Sequence, residues 1–134
     1  MNITHAVGSF DVQINPLTAY NTDDATLARM SIDKRFHGDL EATTKGEMLS
    51  AAGGVKGSAG YVAIERVTGT LAGRNGSFAL QHSGTMTRGV PQLTVTVIPD
   101  TGTGGLVGIA GSMIINIACG KHSYQFDYSL PVSD

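Results

Sequence analysis

The sequence predicts an all-β domain, an eight-stranded antiparallel, mainly up-and-down closed barrel. Three observations predict it. Apolar and polar residues alternate with period two along almost every ordered stretch. Eighteen glycines, several in clusters, punctuate the chain at strand-length intervals. No stretch carries a 3.6-residue apolar stripe over three turns, so no helix is available to cover a sheet. Consecutive hairpins with one apolar face need a second layer, and closing the sheet on itself provides one while removing exposed edges. A sandwich of the same strands is the alternative. The 134 residues make a single domain, 1–134.

The elements follow in order. Phe10, Val12 and Ile14 alternate with Ser9, Asp11 and Gln13 in a first strand that Pro16 is expected to stop. Residues 15–26 read as a long polar loop in which Asn21-Thr22-Asp23-Asp24 caps one helical turn. Strands are then expected at 27–36, 40–50, 58–71, 76–87, 92–99, 106–119 and 122–130. The turn signals between them are Gly38, Gly53-Gly54, Asn75-Gly76, Gly89 to Pro91, Gly102 to Gly105, and Gly120.

Three hairpins sort their faces. With a turn at Gly120-Lys121, Cys119 meets His122, Ile117 meets Tyr124, Ile115 meets Phe126 and Met113 meets Tyr128. With a turn near Arg74-Asn75-Gly76, one face gathers Tyr61, Ala63, Glu65, Val67 and Leu71 with Phe78, Leu80, His82 and Met86. With a three-residue loop His37-Gly38-Asp39, the residues Ala28, Met30, Ile32, Lys34 and Phe36 face Met48, Gly46, Thr44, Ala42 and Leu40. The opposite face of that hairpin then pairs Arg29 with Glu47 and Arg35 with Glu41. A one-residue slip would mix the faces in each case, so the registers are well specified.

Composition excludes several classes. Nine basic and eleven acidic residues give a net charge of −2. Lys34-Arg35 is the only adjacent basic pair, so nucleic acid is not expected as a partner. No apolar run approaches the roughly 18 residues of a spanning helix, and no membrane association is expected. The start of the chain lacks the pattern of a signal peptide, and the lone Cys119 forms no internal disulfide. A cytoplasmic protein is the expectation.

The run Tyr61-Val62-Ala63-Ile64-Glu65-Arg66-Val67-Thr68-Gly69-Thr70-Leu71 resembles a bacterial family of uncharacterised small proteins. The resemblance continues through Gly73-Arg74-Asn75-Gly76-Ser77-Phe78, Leu80-Gln81-His82-Ser83-Gly84 and Gly102-Thr103-Gly104, then through Leu106, Gly108, Gly111 and Met113. It covers nearly the whole chain and implies an allene-oxide-cyclase-like barrel. No catalytic motif of plant allene oxide cyclases or dirigent proteins maps onto these residues. The resemblance also implies an apolar ligand inside the barrel and homo-oligomers formed through outer strand faces, where Val62, Ile64 and Ile114 lie.

Glu65 and His82 are the foremost candidates for chemistry. Both fall on the apolar face of the middle hairpin, diagonally placed, at a Cβ separation of roughly 7 Å or less. A carboxylate and an imidazole inside a barrel shift each other's proton affinity, which suits acid–base work or ligand contact. A buried polar pair that fixes register is the plainer reading. Lys34, Tyr61, Tyr124 and Tyr128 share the inner face and add polar groups to an apolar cavity, unless they snorkel or simply pack. The expected function is a binding barrel for a small apolar or aromatic molecule held by these six residues. An isomerase or cyclase using Glu65 and His82, or a structural barrel with a filled interior, are the alternatives.

Other signals are weaker. Cys119 opposite His122 has no third orienting group, and a packed cysteine beside a turn is simpler. Asp100-Thr101-Gly102 matches the aspartic-protease tripeptide without its context and reads better as a turn. His5, His37, His82 and His122 have no metal-ligand spacing, so no metal is expected. Gly102 to Gly105 lacks the Lys-Ser/Thr ending and helix of a phosphate loop, and no cofactor is expected.

Overall fold

The computed structural model describes residues 2–20, 23 and 26–132. They form eight antiparallel strands: β1 (Thr4–Leu17), β2 (Leu27–Gly38), β3 (Leu40–Ala52), β4 (Ala59–Leu71), β5 (Arg74–Thr87), β6 (Val90–Val97), β7 (Ala110–Ala118) and β8 (Lys121–Ser129). Each strand pairs with the next and β1 pairs with β8, which closes the barrel. The described residues contain no α-helix, only a 3-10 turn at Gly104–Leu106. Among them no helix is long and apolar enough to cross a membrane. The helical turn expected at Asn21-Thr22-Asp23-Asp24 lies outside the described residues except for Asp23, which sits in a turn.

Several sequence expectations need correction. Pro16 does not stop β1; it lies within the strand, opposite Met30. β1 pairs with β8 only as far as Phe10, so its later half has one free edge, where a proline is tolerated. Asn75-Gly76 is not a turn but the start of β5, with Asn75 opposite Thr70. The turn is Ala72-Gly73, both at positive φ (48° and 85°). Arg88-Gly89 (47° and 88°) and Cys119-Gly120 (52° and 76°) repeat it. All three are two-residue turns of the mirror-image type that matches strand twist.

Two registers differ from expectation, in the last hairpin and in the early one. In the last hairpin His122 faces Ile117, Tyr124 faces Ile115 and Phe126 faces Met113, each two residues from the expected partner. Cys119 therefore does not oppose His122; it is exposed in the turn. In the early hairpin Lys34 faces Thr44 and Phe36 faces Ala42, again a two-residue shift. Because side chains alternate with period two, a shift of two leaves the faces sorted as expected. Arg29 and Glu47 still meet, diagonally, as an exposed ion pair. Arg35 opposes Thr43, while the Glu41 carboxylate accepts from the Gly38 N–H at 2.8 Å.

Ala72 bears a side chain where the backbone is left-handed, which costs about 1 kcal/mol or more for most residues. Ala72→Asn is expected to raise the unfolding free energy by about 0.5–1 kcal/mol, since Asn tolerates that conformation. A higher urea midpoint at unchanged slope would show it.

The barrel's two ends differ. At one end lie the β2–β3 and β4–β5 turns and the segment 98–109. There Phe36, Leu40, Leu71, Phe78, Phe126, Leu106 and Ile109 are all buried. The segment 98–109 is the plug, and no part of it extends β7. It returns along β5: Ile98 N–H donates to Ala79 O, and Thr101 Oγ1 accepts from Ala79 N–H while donating to Ile98 O. Thr103 Oγ1 accepts from Ser77 N–H, and Thr103 N–H donates to Ser77 O. Asp100-Thr101-Gly102 is thus a turn in this plug, and it covers Ala79, which is buried although on the outer side of its strand. The plug leaves β6 and β7 joined at only Thr96 and Ser112.

At the other end, several inward positions among the described residues are exposed. Ile14, Leu93 and Ile117 face inward by register yet are 44%, 41% and 68% exposed. Met30, Met48 and Tyr61 are half-buried there. One half of the barrel is a packed core, and the other ends in partly exposed apolar side chains.

Candidate functional site

Strand registers stack three charged or ionisable side chains on the inner wall, climbing from the packed half towards the opposite end. Lys34 sits opposite Thr44, one step deeper than Glu65. Glu65 opposes Gly46 on one side and Leu80 on the other. His82 opposes Ala63, one step nearer that end, and Tyr61 opposes Gly84 a step further out. Side-chain exposure is 3% for Lys34, 0% for Glu65 and 2% for His82.

Two glycines make room for this stack. A Cβ at Gly46 would stand 2.7 Å from the Cα and Cβ of Glu65. A Cβ at Gly84 would stand 2.6 Å from Cε1 of Tyr61, whose ring therefore lies across that glycine. The Tyr61 ring also stands beside His82, with centroids 6.3 Å apart. Tyr61 thus lies between the charged groups and the opposite end.

Lys34 Nζ donates to Glu65 Oε1 at 3.2 Å. The same ammonium stands 5.0 Å from the ring centre of Phe10 and 5.8 Å from that of Phe36, so aromatic faces receive part of its charge. The Lys34 backbone N–H donates to Thr44 Oγ1 at 3.0 Å. His82 Nε2 stands 3.5 Å from Glu65 Oε1 but makes no hydrogen bond. Among the described residues, no donor reaches Glu65 Oε2. Glu65 Oε2 is therefore buried without a partner, at a desolvation cost of about 1–3 kcal/mol, and His82 Nε2 has only this long contact with Oε1.

The stack sets its own electrostatics. Burial pulls the Lys34 ammonium below its ordinary pKa, against the contrary influence of Glu65. Burial alone would raise Glu65, but His82 and Lys34 together outweigh it and hold the carboxyl below the usual range. Burial pushes the Tyr61 phenol up, and the Glu65 charge pushes it further.

The structure brings together Lys34, Tyr61, Glu65 and His82. It places Tyr124 and Tyr128 elsewhere. The Tyr124 hydroxyl donates to His37 O and accepts from Leu40 N–H, both at 3.0 Å, which ties β8 to the β2–β3 turn. Burial raises its pKa despite the Leu40 contact. Tyr128 stacks on Phe126 inside the packed half. Sequence reasoning missed Phe10, Phe36 and Thr44, which cradle Lys34. Phe10 and Phe36 were legible only as core residues, because their contact with Lys34 depends on rotamers across β1 and β2.

The other histidines stand apart. His5 pairs with Asp127 on the outer wall, a hydrogen bond that holds that carboxyl below the usual range. His37 lies near Asp11 and Glu41, and His122 packs on the Phe10 ring. Among the described residues no group of three or more His, Cys, Asp and Glu side chains is placed to hold a metal ion. On the outer wall, Leu49, Val62 and Ile64 line a shallow depression of about 740 Å³ beside Arg29 and Glu47. Ile114 lies on β7, three strands from β4, so it does not extend that patch.

Comparison with known proteins agrees with this architecture. No curated protein matches the sequence. A crystal structure of a protein of unknown function from the DUF3224 family of Shewanella oneidensis MR-1 is 49% identical and superposes with a TM-score of 0.93. The match covers 98% of this chain and 100% of that one. The family model described as "Protein of unknown function (DUF3224)" matches residues 6–128. With the eight-stranded barrel and nearly the full length accounted for, the chain belongs to the DUF3224 family.

Proposed function

We propose that this protein is a small-molecule-binding barrel that takes an apolar ligand through its open end onto the Lys34–Glu65–His82 stack. The observation that carries this reading is the unpartnered buried Glu65 Oε2, with His82 Nε2 in only a long contact beside it, beneath a mouth of half-exposed apolar side chains. Buried polar groups normally have partners, and here a ligand supplies them. Met30 and Met48, paired across β2 and β3 at the level of His82, are flexible enough to part for an incoming molecule.

Acid–base catalysis by Glu65 and His82 is the second reading, favoured by their 3.5 Å separation. Against it stands the depressed Glu65 pKa. An effective general base has a pKa near working pH, and this carboxylate is weakly basic. Binding is therefore the better-supported function.

The neutral fluorophore N-phenyl-1-naphthylamine tests it. Its emission is expected to rise and shift to the blue on addition of the protein. Met48→Trp, which fills the mouth, is expected to weaken binding at least tenfold. Ile64→Ser on the outer wall is expected to leave it unchanged. No enhancement, or sensitivity to Ile64→Ser and not to Met48→Trp, would overturn the reading.

A further inference from the structure

We infer that the ligand's polar end is a neutral hydrogen-bond donor, a hydroxyl on an apolar body, and neither a carboxylate nor an ammonium. This deepens the binding reading above and rests on it. Glu65 Oε2 is a fully buried carboxylate oxygen, and such an oxygen only accepts. Its ligand must bring the proton.

Charge decides among donors. Lys34 and Glu65 cancel one another at 3.2 Å, so a neutral head adds no net charge to a site from which water is largely excluded. An ammonium would donate to Oε2 but would bring a second cation beside Lys34. A carboxylate would bring a second anion beside Glu65 and offers Oε2 no proton. Lys34 cannot turn to it freely, because its ammonium is held by Oε1 and by the Phe10 and Phe36 rings. A hydroxyl donates to Oε2, and its oxygen remains free to accept from His82 Nε2 when that nitrogen carries the proton. One group thus satisfies both atoms.

The body of the ligand is set by the mouth. Ile14, Met30, Met48 and Leu93 face this end, and Tyr61 and His122 supply its rings. An aliphatic or alicyclic alcohol fits that lining.

Four probes with one eight-carbon chain test the inference: 1-octanol, octanoate, octylammonium and 1-methoxyoctane, the last able to accept but not donate. Methyl-labelled methionine NMR reads both affinity and place, since Met30 and Met48 line the mouth and Met113 lies in the packed half. The expected result is 1-octanol binding at least tenfold more tightly than each of the other three, with shifts at Met30 and Met48. In Glu65→Gln the preference for octanol over methoxyoctane is expected to vanish, because an amide N–H donates to either oxygen. The wild-type series decides alone if that variant does not fold. Equal or tighter binding of any other probe overturns the hydroxyl inference and leaves the binding barrel standing. No binding by any of the four, or shifts that spare Met30 and Met48, overturns both.

Discussion

Glu65→Ala is expected to destabilise the protein by about 3–5 kcal/mol, one of the two largest single-residue effects in the molecule. The loss is the cost of leaving Lys34 buried and charged without its partner, and it exceeds what the ion pair itself contributes. The double variant Lys34→Met/Glu65→Leu separates the two. It removes both charges and keeps the volume, so its stability should fall within about 1 kcal/mol of the parent or exceed it. That outcome would favour a binding role for the pair over a structural one. The pH dependence follows from the depressed Glu65 pKa. In the unfolded chain this carboxyl titrates near 4.5, and in the folded protein it titrates lower. Its contribution is therefore complete above pH 4.5, begins to fall below that, and is lost once pH passes under the folded value. The double variant should lack this part of the acid limb in urea titrations, and an unchanged limb would remove Glu65 from the account.

Phe126→Ala is expected to cost a similar amount, about 3–5 kcal/mol, by a different mechanism. Phe126 is fully buried and stacks on Phe78 (5.6 Å, 13°) and on Tyr128 (5.3 Å, 26°). Its removal opens a cavity beneath the plug formed by Leu106 and Ile109. Because this ring belongs to the packed half, the naphthylamine affinity of the folded fraction should not change. Urea denaturation gives the first quantity and fluorescence titration the second. If Phe126→Ala abolished binding while still folded, the division into a packed half and a binding half would be wrong.

How much of this was legible in the sequence depended on what sets each feature. Side-chain alternation sorted every inner residue of the middle hairpin, including Glu65 and His82, because a face requires only the parity of the register. The partner of each residue requires the turn as well. Ala72-Gly73 and Cys119-Gly120 lack the Asn-Gly signature, while Asn75-Gly76 has it and lies in a strand. In the β2–β3 hairpin the last ladder pair is Phe36 with Ala42 and not Phe36 with Leu40, so Lys34 keeps its face but meets Thr44 in place of Ala42. Tyr124 and Tyr128 were indistinguishable from Tyr61 by pattern. Tyr124 is drawn away from the stack by its bonds to His37 O and Leu40 N–H, and Tyr128 by its stacking on Phe126, contacts that no local spacing encodes. The meeting of Lys34 with Glu65, 31 positions apart, likewise needs three strands in register at once.

The most direct measurement of the central claim is a crystal structure of the protein with N-phenyl-1-naphthylamine bound. The account predicts ligand density inside the open half, between Met30, Met48 and Tyr61, with the Glu65–His82 stack as its floor. Density confined to the outer depression over Leu49, Val62 and Ile64, with the open half closed by its own side chains and Glu65 Oε2 against a protein donor, would contradict it.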